Sequence, residues 1–197
     1  CCCVWQPRSP QAPAGELHFA RCLLNLLWQN TMKVDTANSA GCTALMVAAA
    51  NGQEAAAKLL LSKNADVTAE DKTLSTPLHH AAKGGNLSVI RLLATAFGEG
   101  EISACRCTEV RSDRAELVNF VNKENADGVT PLALATRGAH SDAMALLVEF
   151  KAAVDKADDN MRTPLSISSQ DGLLPHTELL LKAGCDPNTQ DLKMVLV

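Results

Sequence analysis

A threonine-led tripeptide returns along this chain at a fixed interval, and that interval constrains the fold more than any other feature. It occurs as Thr43-Ala44-Leu45, Thr76-Pro77-Leu78, Thr130-Pro131-Leu132 and Thr163-Pro164-Leu165. Thr43 to Thr76 is 33 residues, Thr130 to Thr163 is again 33, and the middle interval is 33 with a surplus of 21. A period of that length belongs to stacked units, each too small to bury its own apolar face and each completed by its neighbours.

The local chemistry explains what repeats. A threonine hydroxyl can accept an orphan amide of a first helical turn, and proline in the next place has its φ preset for a helix and lacks a donor that the helix could not use. Each threonine therefore starts a helix. In the fullest copy, Leu78, Ala81 and Ala82 make an apolar stripe at helical spacing, small enough at the alanines for a second helix to approach closely. Gly84-Gly85 then stops the helix. The same reading predicts helices over 43–51 and 53–62, 76–83 and 87 to about 96, 130–138 and 141–150, and 163–171 and 174–183. Gly98-Glu99-Gly100 is expected to end the fourth of these, and a shorter helical run is expected from Ala115 to Val121.

The pattern resembles the ankyrin repeat, whose consensus runs from a hairpin loop through Thr-Pro-Leu-His-x-Ala-Ala, a glycine turn and a second helix ending Leu-Leu to Gly-Ala-Asp-Val-Asn. Residues 43–71 follow it without a gap, and so do residues 163–191, which close on Gly184-Cys185-Asp186-Pro187-Asn188. The resemblance implies an all-α ankyrin-repeat solenoid of stacked helix-turn-helix units joined by hairpin loops. It divides the chain into a disordered lead (1–15), a degenerate capping repeat (16–37), repeats at 38–70, 71–97, 119–157 and 158–191, an exposed insertion at 98–118 and a tail at 192–197. Departures are visible: Ala44 replaces proline, Met46, Ala133 and Ser166 replace histidine, and His176-Thr177 stand where two valines would be buried. The fourth repeat is accordingly expected to be the least stable.

What the resemblance implies for function is protein binding without catalysis, through a concave groove lined by the hairpin tips and the exposed face of each first helix. Carried over by position, the partner-binding candidates of the first repeat are Ser39, Ala40, Cys42, Ala50 and Asn51, and those of the second are Lys72, Thr73, Ser75 and Lys83. The third contributes Ala126, Asp127, Val129 and Arg137, and the fourth Asp159, Asn160, Arg162, Gln170 and Asp171. Lys72, Lys83, Arg137 and Arg162 are long cations at these positions and favour an acidic stretch on the partner. The same resemblance assigns His79 a structural role, bonded to the threonine cap and the neighbouring loop.

Composition narrows the alternatives. Aromatic residues make up 3% of the chain with no Tyr, and the net charge is −4, so there is neither a stacking platform for bases nor a field that attracts nucleic acid. No apolar run reaches the roughly 18 residues of a membrane span. The eight cysteines lack a framework spacing and are expected to be reduced thiols of an intracellular, cytoplasmic protein. No phosphate loop, HExxH, GxSxG or CxxC occurs, and Cys105-x-Cys107 is short of the two-residue gap of structural zinc sites, so no cofactor or metal is expected. His18, His140 and His176 are isolated and expected at the surface or half-buried. Asn86-Leu87-Ser88 is a chance sequon. The chain starts without Met and stops where a fifth threonine would fall, so a monomer is expected only if the array is not truncated. In that untruncated case the apolar tail is expected to fold back over Leu180 and Leu181, whereas a truncated array, the favoured expectation, should self-associate or fray at the fourth repeat. The alternative function is an ankyrin segment of a larger enzyme or channel whose active domain lies outside this chain.

Overall fold

The computed structural model describes residues 33–102 and 113–188, without the side chains of 98–102, 113 and 114. The lead 1–15, most of the capping repeat, Cys105-x-Cys107 and the tail 192–197 lie outside those residues. Chain contacts separate residues up to Lys33 from the unit that begins at Val34, and the fold described here is that of the second unit.

Among the described residues there are nine helices and no strand. Eight form pairs: α1 (Ala44–Ala50) with α2 (Glu54–Ser62), α3 (Pro77–Lys83) with α4 (Leu87–Ile102), α6 (Pro131–Arg137) with α7 (Ser141–Glu149), and α8 (Pro164–Gln170) with α9 (Leu174–Lys182). The ninth, α5 (Asp113–Val121), lies between the second and third pairs in sequence and packs on α4. The first helices stack α1 on α3, α3 on α6 and α6 on α8, while the second helices form the other layer, α2 on α4, α4 on α7 and α7 on α9. This is the all-α repeat solenoid that the period implies.

Each pair begins as its threonine dictates. Thr43, Thr76, Thr130 and Thr163 have extended backbones, with ψ between 161° and 168°. The hydroxyls of Thr43, Thr130 and Thr163 accept the amide three residues on, at 3.4, 3.4 and 3.2 Å. Each first helix is followed by a left-handed residue at one register position, Gly52, Gly85, Ala139 and Gly172, with φ of 67°, 67°, 56° and 67°. The second helices end likewise at Asn64, Lys151 and Gly184. Between the layers, Ala48, Ala49, Ala81 and Ala82 are fully buried, and Leu45, Leu60, Leu78, Leu93, Leu132, Leu147 and Leu180 are each at most 2% exposed. Burying one such leucine contributes about 2 kcal/mol, so the stack is held chiefly by these aliphatic contacts between repeats.

One expected boundary is wrong. Gly98-Glu99-Gly100 does not end the fourth helix, because α4 runs through it to Ile102. The residue that should turn left-handed, in register with Asn64, Lys151 and Gly184, is Phe97, and its ring stacks on Phe120 with centroids 4.5 Å apart and planes 9° from parallel. Glycine costs a helix about 1 kcal/mol, but a stop needs a left-handed residue to end it, and Phe97 is committed to a helical position. The insertion expected at 98–118 is thus helical at both ends, its first five residues belonging to α4 and its last six to α5.

The fourth repeat is as polar as its sequence suggests. Ser168 is buried and returns its hydroxyl to the Leu165 carbonyl at 2.9 Å, and Thr177 donates to Leu173 O, 3.2 Å away, with Ser168 Oγ at the same distance. His176, expected at the surface or half-buried, is 6% exposed, and neither ring nitrogen has a hydrogen-bond partner. It occupies the buried position of a valine because the helix register, not the side chain's polarity, decides which face is covered.

Candidate functional site

The hairpin loops are built on one residue each, five before the threonine. Asn38 Oδ1 accepts from the amides of Ala40 and Cys42, and Asn125 Oδ1 from those of Asp127 and Val129, all at 2.9–3.0 Å. Asp71 Oδ1 accepts from the amides of Thr73 and Ser75 and from the Thr73 hydroxyl, and Asp158 Oδ1 from the amides of Asn160 and Arg162. Such turns hold the loop backbone without help from strands.

Backbone bonds then join tip to tip. The Lys72 amide donates to Ala40 O at 3.3 Å, Ala126 to Thr73 O at 2.8 Å and Asp159 to Asp127 O at 3.1 Å. The series passes the 21-residue surplus without losing register. A parallel series further back does not: Asp35, Asn122 and Asp155 accept from the amides of Asp66, Ala153 and Asp186, but the amide that would reach Thr68 belongs to Phe120, inside α5. The insertion is accommodated on the side away from the tips.

His79 links cap, helix and next loop, as expected. Its Nε2 lies 3.2 Å from the Val129 carbonyl, which can only accept, so Nε2 carries the proton and Nδ1 accepts from the Thr76 amide at 3.1 Å, with the Thr76 hydroxyl 2.9 Å away. Burial, aided by His80 nearby, lowers its pKa to about 4, and the ring is neutral. Where Met46 replaces this histidine, its sulfur accepts the Thr43 amide at 3.4 Å. His140 donates to Lys83 O, and Asn86 Nδ2 donates to Ala49 O and Ala50 O, which leaves the sequon's amide engaged in packing.

The partner-binding candidates fall into three groups. Ser39, Ala40, Ala50, Asn51, Lys72, Thr73, Lys83, Ala126, Asp127, Asp159, Asn160, Gln170 and Asp171 are exposed along the tips and the ends of the first helices. Ser75 and Val129 are buried, at 7% and 2% exposure, and offer a partner no surface; Val129 packs with Ala133 and with Ile167 of the following repeat. Cys42, Arg137 and Arg162 are tied to loop aspartates. Arg137 Nη2 donates to Asp158 Oδ2 at 2.7 Å, and Arg162 donates to the same oxygen through Nε at 3.0 Å and Nη2 at 2.8 Å. Half of the cations expected to face an acidic partner are therefore spent inside the molecule.

Two residues at the tips were passed over in the sequence. Two places before each threonine the backbone is left-handed: Gly41 and Gly128 have φ of 82° and 68°, but Leu74 and Met161 have 55° and 58°. Both large apolar side chains are about half exposed, at 47% and 50%. A bulky residue there is conformationally strained and its exposure is unfavourable, so these side chains do not serve the loop. The signal was available: glycine in two of four copies marks a left-handed position, at which leucine or methionine is out of place.

The fold, the shared loop turns and the His79 linkage all follow one repeat pattern, and family models agree with it. A model described as "Ankyrin repeats (3 copies)" matches residues 12–71 and 110–191, and one described as "Ankyrin repeat" matches residues 74–104. The chain belongs to the ankyrin repeat family. Among relatives of this ankyrin array, Neurogenic locus notch homolog protein 2 of Homo sapiens is 29% identical over 88% of the chain and 6% of its own length. E3 ubiquitin-protein ligase XBAT33 of Arabidopsis thaliana is 33% identical over 70% of the chain and 29% of its own length. Inversin of Canis lupus familiaris is 31% identical over 85% of the chain and 13% of its own length. The chain thus spans less than a third of each of these proteins. No helix among the described residues is long and apolar enough to cross a membrane.

Proposed function

We propose that this ankyrin array is a non-catalytic module that binds another protein along its hairpin tips and the adjoining exposed ends of its first helices. The observation that carries the reading is the pair Leu74 and Met161, exposed apolar side chains held in left-handed loops that glycine would fill at lower cost. Rigid apolar anchors set in a polar rim are what an interface hot spot requires. Lys72, Asn160 and Asp127 supply such a rim, and the unbroken tip-to-tip bonding keeps the anchors in register across the insertion. That the relatives are several times longer favours a second reading, in which the array is the docking segment of a larger enzyme or channel; an in-frame catalytic or membrane domain in the flanking coding sequence would separate the two.

The test uses the whole 197-residue chain as bait, with Leu74→Gly/Met161→Gly beside it. The double variant should melt no lower than the parent, because glycine relieves both strained backbones, yet should recover the captured partner at least about tenfold less well. Equal recovery by the two baits would place the interface elsewhere.

A further inference from the structure

The four loop residues that hold the hairpins alternate between amide and acid: Asn38, Asp71, Asn125, Asp158. Asparagine does the loop's work through Oδ1 as well as aspartate does, so the charges of Asp71 and Asp158 exceed what the turns need. Each aspartate has a second oxygen, Oδ2, turned away from its loop. At Asp158 that oxygen faces positive charge, with guanidinium nitrogens of Arg137 and Arg162 at 2.7–3.0 Å. At Asp71 both arginine positions are vacated. Ala50 stands in the register of Arg137 and Ser75 in that of Arg162. In their place His80 Nε2 lies 3.0 Å from Asp71 Oδ2 and Cys42 Sγ lies 3.8 Å from it, and the three atoms fall within 4.8 Å of one another.

We propose that Cys42 Sγ, Asp71 Oδ2 and His80 Nε2 form a zinc site that clamps the first repeat to the second. The donor set, a thiolate, a carboxylate and an imidazole, suits zinc, and three protein ligands leave a fourth position for water. Tetrahedral zinc with bonds of about 2.0–2.3 Å spaces its donor atoms roughly 3.3–3.6 Å apart, which the 3.0 and 3.8 Å separations at the carboxylate bracket, and the thiol and imidazole start within 4.8 Å of each other. The ion stands where guanidinium stands at Asp158. On binding, the thiol proton passes to solvent and the ring proton of His80 moves through solvent from Nε2 to Nδ1, leaving a neutral ring with its Nε2 lone pair turned to the metal; thiolate and carboxylate together balance the two positive charges. Asp71 is fixed for this role by the three bonds to its other oxygen, which orient the carboxylate as outer-shell partners do in metal sites. Cys42 and His80 are half-buried, so solvent zinc can reach them. Without metal the Cys42 thiol keeps its proton, since burial and then the Asp71 charge raise its pKa.

The experiment titrates the metal-free full chain with Zn2+ by calorimetry and with Co2+ by absorption. The parent should bind one ion with a thiolate-to-cobalt charge-transfer band and melt at a higher temperature when loaded. Cys42→Ser and His80→Ala should each weaken binding about tenfold or more, Cys42→Ser removing the band. Ala50→Arg attacks the site by another route, supplying the guanidinium that Asp158 receives from Arg137, and should displace the ion while leaving the cysteine and histidine untouched. Because these variants act independently, one that fails to fold leaves the others to decide. Absence of binding to the parent, or a cobalt band and affinity unchanged in Cys42→Ser and Ala50→Arg, would overturn the site and leave three hydrogen-bonded side chains.

Discussion

His79 has a pH dependence that can be worked out from its surroundings. Free histidine binds a proton below about pH 6.5, whereas burial and the nearby His80 delay this in the folded chain until about 4, against the opposing pull of the Val129 carbonyl and Asp71. Between those values the unfolded chain binds more protons, so this stability is complete above about 6.5 and is lost as pH falls towards 4. The loss should approach about 3 kcal/mol, since each tenfold weakening of proton binding corresponds to roughly 1.4 kcal/mol. Urea midpoints of the metal-free protein from pH 7 to 4.5 should fall more steeply for the parent than for His79→Gln; parallel curves would show that His79 does not titrate through folding. Asp71, held at about 2 against the usual 3.8, acts only below this window. Burial alone would raise that carboxyl, but the Thr73 hydroxyl, the Ser75 and Thr73 amides and His80 outweigh it. The role of His79 came from the family resemblance, which assigned it to the threonine cap and the neighbouring loop, where the structure has it. The burial of Val129 was not legible in the sequence, since Ile167, which packs with it, belongs to the following repeat and no local pattern marks the contact.

At the level of the helices, the Leu-Leu stripe was the clearest part of the sequence, and the structure buries it as expected. Leu60 is 2% exposed and Leu147 not at all. Leu60→Ala and Leu147→Ala should each cost roughly 2–5 kcal/mol, read as a drop in urea midpoint with little change in slope. Melts that barely move would mean the second helices do not hold the stack. Helix starts were readable because threonine and proline act within one turn. The end of α4 was not, because the ring of Phe97 stacks on that of Phe120, a partner far along the sequence. A glycine pair looks like a stop until a longer-range contact is known.

For the whole molecule, stability is a sum of repeats and the interfaces between them. The fourth repeat contains the clearest defect, two buried ring nitrogens of His176 without partners. Such orphans cost about 1–3 kcal/mol, so His176→Val should stabilise the chain by that order and slow amide exchange in α9 relative to α2. Unchanged exchange in α9 would mean that the ring does find a partner in solution. The junction between the second and third repeats differs in another way. Its tips are joined like the others, while its far side has an aromatic pair in place of the usual loop-to-loop bond. Under tension this asymmetry becomes a hinge: a chain pulled from its ends should part first at that far side, swinging about the loop bonds, and an optical-trap trace should show two half-arrays yielding in separate steps.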